Sequence, residues 1–444
     1  MAPDIKELIK NKNYLSIRDL LAQLNTVEIS ELIDELDEAD VIVVFRLLPK
    51  DEAADVFAYL SSDQQESIIN MITDVEMAGI IEELSFDDMI DIIEEMPANV
   101  VKKILKNTKV EERPLINQFL NYPEYSAGSI MTIEYVDLKK NMSVAEAIRR
   151  IRKTGIDKET INTCYVMDSE RHLKGIVSLR TLITSADDVI VDDIMTTNYV
   201  SVHAADDQEE VAMVFKKYDL SAIPVLDAEG RLLGIITFDD IMDVIDQENT
   251  EDFHKMAGIA PSEDSYLEAS IFTMAKQRIL WLMVLMISAT FTGRIIQQYE
   301  EVLQSVVLLA AFIPMLMDTG GNAGSQSSTM VIRSLALGDI GPRDVFKVMR
   351  KELAIALIVG ACLAVLNFGR LLLFEKVPYA IALTVTLTLF LTVVLAKAVG
   401  SALPIIAKIV KVDPAVMASP LITTIVDAVA LMVYFQLAHL LLSL

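Results

Sequence analysis

The 444 residues predict a multidomain membrane protein: an all-α superhelical N-domain, a tandem α/β pair, and an α-helical transmembrane domain of five spans. Three observations carry this. Hydrophobic residues make up 52% of the chain and the mean hydropathy is +0.41, yet 64 residues are acidic. The two properties are segregated. Residues 1–276 hold 26 basic and 55 acidic groups, a net of −29, whereas residues 277–444 hold 12 and 9. Finally, the acidic part contains two separate internal repeats.

The first element is residues 1–127. Its start, "MAPDIKELIKNKNYL", has no apolar core behind basic residues, so no signal peptide is expected and residues 1–276 are expected in the cytoplasm. "IDELDEADVIVVFRLLPKDEAADVF" from Ile33 matches "IEELSFDDMIDIIEEMPANVVKKIL" from Ile81 at an offset of 48, pairing Leu36 with Leu84 and Pro49 with Pro97. A helix-pair repeat near the 40–47 residue class predicts a small armadillo-like superhelix.

The second element is residues 128–245, in halves 128–190 and 191–245. "SIMTIEYVDLKKNMSVAEAIRRI" from Ser129 recurs as "DIMTTNYVSVHAADDQEEVAMVF" from Asp193, and "TCYVMDSERHLKGIVSLRTLI" recurs as "AIPVLDAEGRLLGIITFDDIM", placing Gly175 opposite Gly234. Apolar triplets around a D-x-E-G-type turn read as strand, turn, strand and helix. Two copies resemble a tandem pair of cystathionine-β-synthase (CBS) domains. Such pairs are sensors, so the resemblance implies regulation without naming a cargo. An uninterrupted acidic helix pattern, Phe238 to Ile259, then leads through a linker (residues 246–276) to the membrane.

Residues 277–444 contain apolar runs at about Ile279–Ile296, Val302–Met317, Leu353–Phe374, Tyr379–Leu403 and Val416–Leu442. Each approaches the ~20 residues that cross a bilayer. Basic residues precede the first run (Lys276, Arg278) and fill two loops (Arg343, Lys347, Arg350, Lys351; Lys408, Lys411). By the positive-inside rule these regions are cytoplasmic and the C-terminus is outside.

The second run ends at Met317 or continues through a polar stretch, "DTGGNAGSQSSTMVIRS", that begins at Asp318. Gly320, Gly321 and Gly324 permit a helix break or the close approach of a neighbour. Asn322, Gln326, Thr329 and Arg333 share one helical face, which reads as packing through small residues or as a hydrated wall. In the last run, "DPAVMASPLITTIVDAVALMVYFQ", Asp427 is the only acid beyond Asp413, and an intramembrane acid is a functional candidate by default. Thr423 and Thr424 precede it by one turn, and Asp413 stands at the entrance to the span.

These residues narrow the chemistry. The four His are scattered and Cys164 and Cys362 lie in different regions, which argues against zinc, disulfide and thiol chemistry. No nucleophile and base pair points to an enzyme. The polyanionic surface repels nucleic acid. One acid among hydroxyls suits a hard, hydrated cation such as Mg²⁺, which keeps much of its water and binds one or two carboxylates. A lone Asp also serves a Na⁺- or proton-coupled carrier.

The whole chain resembles the MgtE-type magnesium channel and transporter family. The marks are "QRILWL", "TGGNAGSQ", "DPAVMASPLITTIVD", the CBS pair and the helical domain before it. The resemblance implies a Mg²⁺-selective homodimer in lipid with a central pore, in which Asp427 is the selectivity carboxylate, Asn322 a pore-proximal residue and Asp413 an acid at the cytoplasmic mouth. It implies a connecting helix that plugs the pore, and regulatory Mg²⁺ on Asp87 and Asp91, on Asp207, Glu209 and Asp219, and on Asp240, Asp243, Glu251 and Asp252, with the Gly128 carbonyl. Some members bind ATP between CBS domains. Thr237 and Asp240 fit that pattern and Arg180 is a candidate phosphate contact, but Thr181 stands where the first domain's pattern places Asp. The alternatives are a carrier for Co²⁺ or Mn²⁺, an ion-coupled carrier, and a nucleotide-sensing membrane receptor or enzyme.

Overall fold

The computed structural model describes residues 2–443 apart from 111, 263–265, 267–268 and 418; part of the linker therefore lies outside the described residues. The chain divides into two compact units, Met1–Val244 and Ile245–Leu444.

The first unit begins with ten helices: α1 (Ala2–Lys10), α2 (Tyr14–Leu21), α3 (Thr26–Asp34), α4 (Glu38–Phe45), α5 (Lys50–Ala58), α6 (Ser62–Met71), α7 (Asp74–Glu83), α8 (Phe86–Glu95), α9 (Ala98–Asn107) and α10 (Arg113–Phe119). From α3 to α9 they start at residues 26, 38, 50, 62, 74, 86 and 98, a spacing of 12. Each is preceded by a helix-starting residue: Asn25, Asp37, Pro49, Ser61, Thr73, Ser85 and Pro97. Alternate helices pack in rows, α3 on α5, α5 on α7 and α7 on α9, with α4 on α6. The structural repeat is thus a 24-residue helix pair, and the 48-residue offset in the sequence spans two of them. The expectation of a repeat near 40–47 residues is corrected. Helices of two to three turns need only 12 residues each with their connections, whereas the apolar positions match best at every second pair.

Two three-stranded sheets follow. β1 (Tyr135–Lys139), β2 (Thr160–Met167) and β3 (Leu173–Ser178) form one, with α11 (Val144–Thr154) between β1 and β2 and α12 (Leu179–Thr184) after β3. After α13 (Val191–Ile194), β4 (Val202–His203), β5 (Ala222–Leu226) and β6 (Leu232–Thr237) form the other, with α14 (Gln208–Tyr218) between β4 and β5. In each the first two strands are parallel and the last two antiparallel. The segments before the sheets are exchanged: Thr132 pairs with Ile235 and Thr196 with Ile176. Gly234 and Gly175 admit them, since a Cβ on Gly234 would stand 2.6 Å from the Thr132 carbonyl oxygen and one on Gly175 2.9 Å from that of Thr196.

Helix α15 (Phe238–Met256) starts in the first unit and ends in the second. Gly258, at φ +69°, follows its end and lies against Trp281. Among the described residues, five helical segments are long and apolar enough to cross a membrane: Ile271–Gln298, Val307–Ala336, Pro342–Leu373, Tyr379–Ile409 and Pro414–Leu442. Their α-helical parts are α16 (Ile271–Gln298), α18 (Ile313–Ala336), α19 (Val345–Leu373), α20 (Tyr379–Ile409) and α21 (Ser419–Leu442), with the short α17 (Glu300–Ser305) between the first two. Helix α20 is central, packed on α18, α19 and α21, whereas α16 buries none of its residues. The polar stretch is one unbroken helix, so its glycines serve close approach: Gly400 of α20 lies against the Gly324 carbonyl, and Gly321 against the Thr423 side chain.

Candidate functional site

Helix α18 has two opposed faces. Gly320, Gly321, Gly324, Ser327 and Ser328 are buried, whereas Asn322, Gln326, Thr329 and Arg333 are exposed in the single chain. The buried face is anchored by Ser328, whose hydroxyl donates to the Met417 carbonyl at 3.1 Å. On the exposed face the Asn322 amide donates to Asp318 Oδ1 at 3.2 Å, and Asp318 is within electrostatic reach of Asp427 on α21. Asp318 is a residue that sequence reasoning passed over. It sits at the end of an apolar run, where it looks like a boundary; folding brings it to the intramembrane acid more than 100 residues later.

Thr423 and Thr424 both donate their hydroxyls to the Pro420 carbonyl, at 2.9 and 3.1 Å, so only their lone pairs remain available to a cation's water. Asp413 is held at both oxygens. Its Oδ1 accepts from the Ala415 amide at 2.8 Å, starting the 3₁₀ turn Pro414–Met417, and its Oδ2 accepts from Lys255 of α15 at 2.5 Å. Lys255 also pairs with Glu251. Burial by itself would lower the Lys255 pKa, but the hydrogen bonds to Asp413 and Glu251 raise it above its usual value. Asp252, one turn before Met256, is pushed up to about 6 by burial and then by Asp413. Two carboxylates expected to meet Mg²⁺, Asp413 and Glu251, therefore hold one lysine, a partner the sequence reading did not name, with Asp252 within its electrostatic reach.

In the first unit, Asp87 and Asp91 of α8 lie with Asp240, at the start of α15, in one field of negative charge. Asp87 is pushed up to about 8, chiefly by burial and then by Asp240, Asp88 and Glu159, and its Oδ1 is buried with no hydrogen-bond partner. Glu159 is raised to about 7 by burial and then by Asp239 and Asp240. Asp91 reaches solvent, yet the protein crowding its carboxyl raises it to about 7, ahead of repulsion from Asp88 and Glu94. Burial also raises Asp240, although Thr237 donates to it from its amide at 3.1 Å and its hydroxyl at 2.6 Å. Glu159 is the second residue missed by sequence reasoning, since nothing in "GIDKETINT" marks it until the fold sets it against Asp240.

The remaining acids have backbone roles as well. Asp207 starts α14 by accepting from the Glu209 amide at 2.9 Å, and Asp219 ends it in the left-handed region at φ 50°. Gly128 donates its amide to the Ala204 carbonyl at 2.9 Å, and the neighbouring Ala127 amide reaches Asp206 at 2.8 Å, which brings Gly128 beside the Asp207 turn. Asp243 is exposed on α15. Among the described residues no three His, Cys, Asp or Glu side chains converge closely enough to hold a metal ion. For nucleotide, Arg180 is exposed and Thr181 bonds Ser178 at 2.8 Å, while Thr237 is engaged with Asp240.

A five-span membrane unit with acids and amides on one helical face, preceded by a pair of α/β domains, fits a membrane transporter with a large extramembrane part. Family comparison agrees. Residues 313–437 match the family described as a divalent cation transporter, MgtE; residues 24–125 match the MgtE intracellular N domain; residues 127–188 and 191–247 match the CBS domain. The chain is 39% identical over 331 residues to a magnesium transporter MgtE of Thermus thermophilus, covering 74% of this chain and 73% of that protein. It is 34% identical to one of Bacillus subtilis, covering 75% and 73%. A crystal structure of the cytosolic domain of the Mg²⁺ channel MgtE in complex with ATP superposes with a TM-score of 0.52 at 35% identity, covering 55% of this chain and all of that one. The chain belongs to the MgtE transporter family.

Proposed function

We infer that this chain is a magnesium transporter whose ion path follows the exposed face of α18 and the Asp427 face of α21. The observation that carries the path is Asp318, hydrogen-bonded to Asn322 and within electrostatic reach of Asp427, in helices otherwise built for lipid. Mg²⁺ holds its inner water tightly, and amides and carboxylates suit a hydrated ion held through its shell. The exposed polar residues of α18 cannot face hydrocarbon, so a second copy of the chain covers them and the path lies between two protomers. The basic loops orient both soluble domains to the cytoplasm and the C-terminus outside. No catalytic role is assigned.

The regulatory reading divides the chain as the sequence did: residues 1–127, the CBS halves 128–190 and 191–245, the connecting helix and linker 246–276, and the membrane domain 277–444. Asp87, Asp91, Asp240 and Glu159 are the primary Mg²⁺ sensor, with Asp207, Glu209, Asp219 and the Gly128 carbonyl as a second group. Two like charges ~4 Å apart repel by about 4 kcal/mol at an effective dielectric of ~20, and a divalent ion between them reverses the sign. Asp243, Glu251 and Asp252 carry the response along α15, where Lys255 fastens its end to Asp413. ATP, bound by the related cytosolic domain, has Arg180 and Thr237 as its candidate contacts here; equilibrium dialysis with labelled ATP showing no uptake would remove it.

The test is Mg²⁺ influx into liposomes holding the purified protein, with no other ion gradient and Asp427→Asn in parallel. Influx lost in the variant is the expected result. Full influx in Asp427→Asn sinks the path, and influx that requires a Na⁺ or proton gradient replaces the channel with a coupled carrier.

A further inference from the structure

The membrane unit contains a second set of ionisable groups, away from the exposed face of α18. Lys397, in the middle of α20, is 4% exposed, and its amine donates to Ser327 Oγ of α18 at 3.2 Å. That hydroxyl in turn donates to Glu352 Oε2 of α19 at 2.6 Å. One hydroxyl, itself 2% exposed, therefore joins a lysine and a glutamate on three different helices. The set is neutral as a whole whether the proton rests on the amine or the carboxylate, which makes its burial tolerable.

We propose that Lys397 is a positioning residue of the ion path, acting through Ser327 with Glu352 as its counter-charge. Helix α18 meets α20 and α21 through glycines, with Gly400 on Gly324 and Thr423 on Gly321. Buried apolar side chains of the same helix, Leu316, Ala323, Val331 and Leu335 among them, pack against α20 and α21 and set the spacing of the helices through contacts that have no direction of their own. Directional bonds on the buried face refine the rotation within that packing, and Ser327 and Ser328 supply them. Gln326 precedes Ser327 in the chain, and Asn322 lies one turn earlier on the exposed face. Fixing Ser327 thus fixes how Asn322 and Gln326 are presented to a passing ion. This proposal rests on the ion path inferred above.

The experiment measures Mg²⁺ and Ca²⁺ flux per folded protein in liposomes for wild type, Lys397→Met, Lys397→Arg, Ser327→Ala and the neutral pair Lys397→Met/Glu352→Gln. Lys397→Met is expected to lower Mg²⁺ flux about tenfold and to shift the Mg²⁺ to Ca²⁺ ratio by roughly threefold or more, because the support of a binding site sets its geometry. Lys397→Arg should keep the ratio, and Ser327→Ala should move it as Lys397→Met does. The neutral pair should recover the folded yield but not the ratio. A wild-type ratio in Lys397→Met overturns the proposal, as does one in Ser327→Ala should Lys397→Met not fold. Return of the ratio in the neutral pair also overturns it, reducing the effect to charge burial. Asp427→Asn runs alongside: its full flux would refute the path itself, whatever the Lys397 variants do.

Discussion

Replacing Lys255 by Met removes one charge while keeping most of the side chain's volume. In the structure that charge bridges Glu251 on its own helix and Asp413 at the entrance to the last span, with side-chain exposures of 23%, 31% and 35%. A hydrogen bond to a charged group contributes about 1.5–3 kcal/mol, and partial exposure screens it toward the lower end. A loss of about 1.4 kcal/mol is a tenfold change in an equilibrium constant. If the contact holds α15 over the path, the balance between open and closed forms should move roughly tenfold toward open. The assay is initial Mg²⁺ influx into proteoliposomes loaded with graded internal Mg²⁺. The internal concentration that halves influx should rise by about an order of magnitude in Lys255→Met, with Lys255→Arg close to wild type. The effect should fade at high internal Mg²⁺, because the freed carboxylates of Asp413, Glu251 and Asp252 would then take a cation in place of the ammonium. An unchanged half-inhibiting concentration in Lys255→Met would refute the reasoning, since the ion pair would then add nothing to closure.

Asp318→Asn should keep Asn322 in place but weaken the negative field at Asp427, lowering Mg²⁺ flux less than Asp427→Asn does; competition by Co²⁺ and Mn²⁺ in the same liposomes measures it. For the first unit the pH sign is definite. Carboxylates raised in the folded protein, Asp87 to about 8 and Asp91 and Glu159 to about 7, favour the assembled form fully below their unfolded values of about 4. That contribution is lost as pH rises through 7 and 8. In metal-free protein, proteolysis between residues 107 and 128 should therefore be slower at pH 6 than at pH 8.5, and added Mg²⁺ should abolish the difference at pH 8.5; Mg²⁺ without effect there would rule out the sensor reading. Thr73→Ala breaks a capping box in which Glu76 bonds the Thr73 amide at 2.8 Å and the Thr73 hydroxyl accepts from the Glu76 amide at 3.3 Å. It should destabilise the helical repeat by about 1 kcal/mol in denaturant unfolding, with Mg²⁺ flux unaltered.

Much of this protein was legible before folding because its signals are local. Runs of about 20 apolar residues, a basic loop beside a span, a helical repeat at an offset of 48 and a repeated strand–turn–strand pattern depend on neighbours in the chain. Asp427 was visible for the same reason, as a charge where its surroundings are apolar. Even the helical repeat shows the limit of a pattern: the sequence match at 48 residues hides a 24-residue unit whose packing is between alternate helices.

What the tertiary structure decided are the partners. Asp318 beside Asp427, Glu159 beside Asp240, Lys255 on Asp413, and Lys397 and Glu352 on Ser327 each join residues that are far apart in sequence or that carry no motif. A hydrogen bond needs its partners about 3 Å apart and an exposed charge pair is screened over about 10 Å, and a linear sequence carries no record of either distance. The sequence by itself thus determined which segments enter the membrane and which residue types could meet a hydrated cation. Folding determined which of those carboxylates face one another unpaired, and which already hold a lysine.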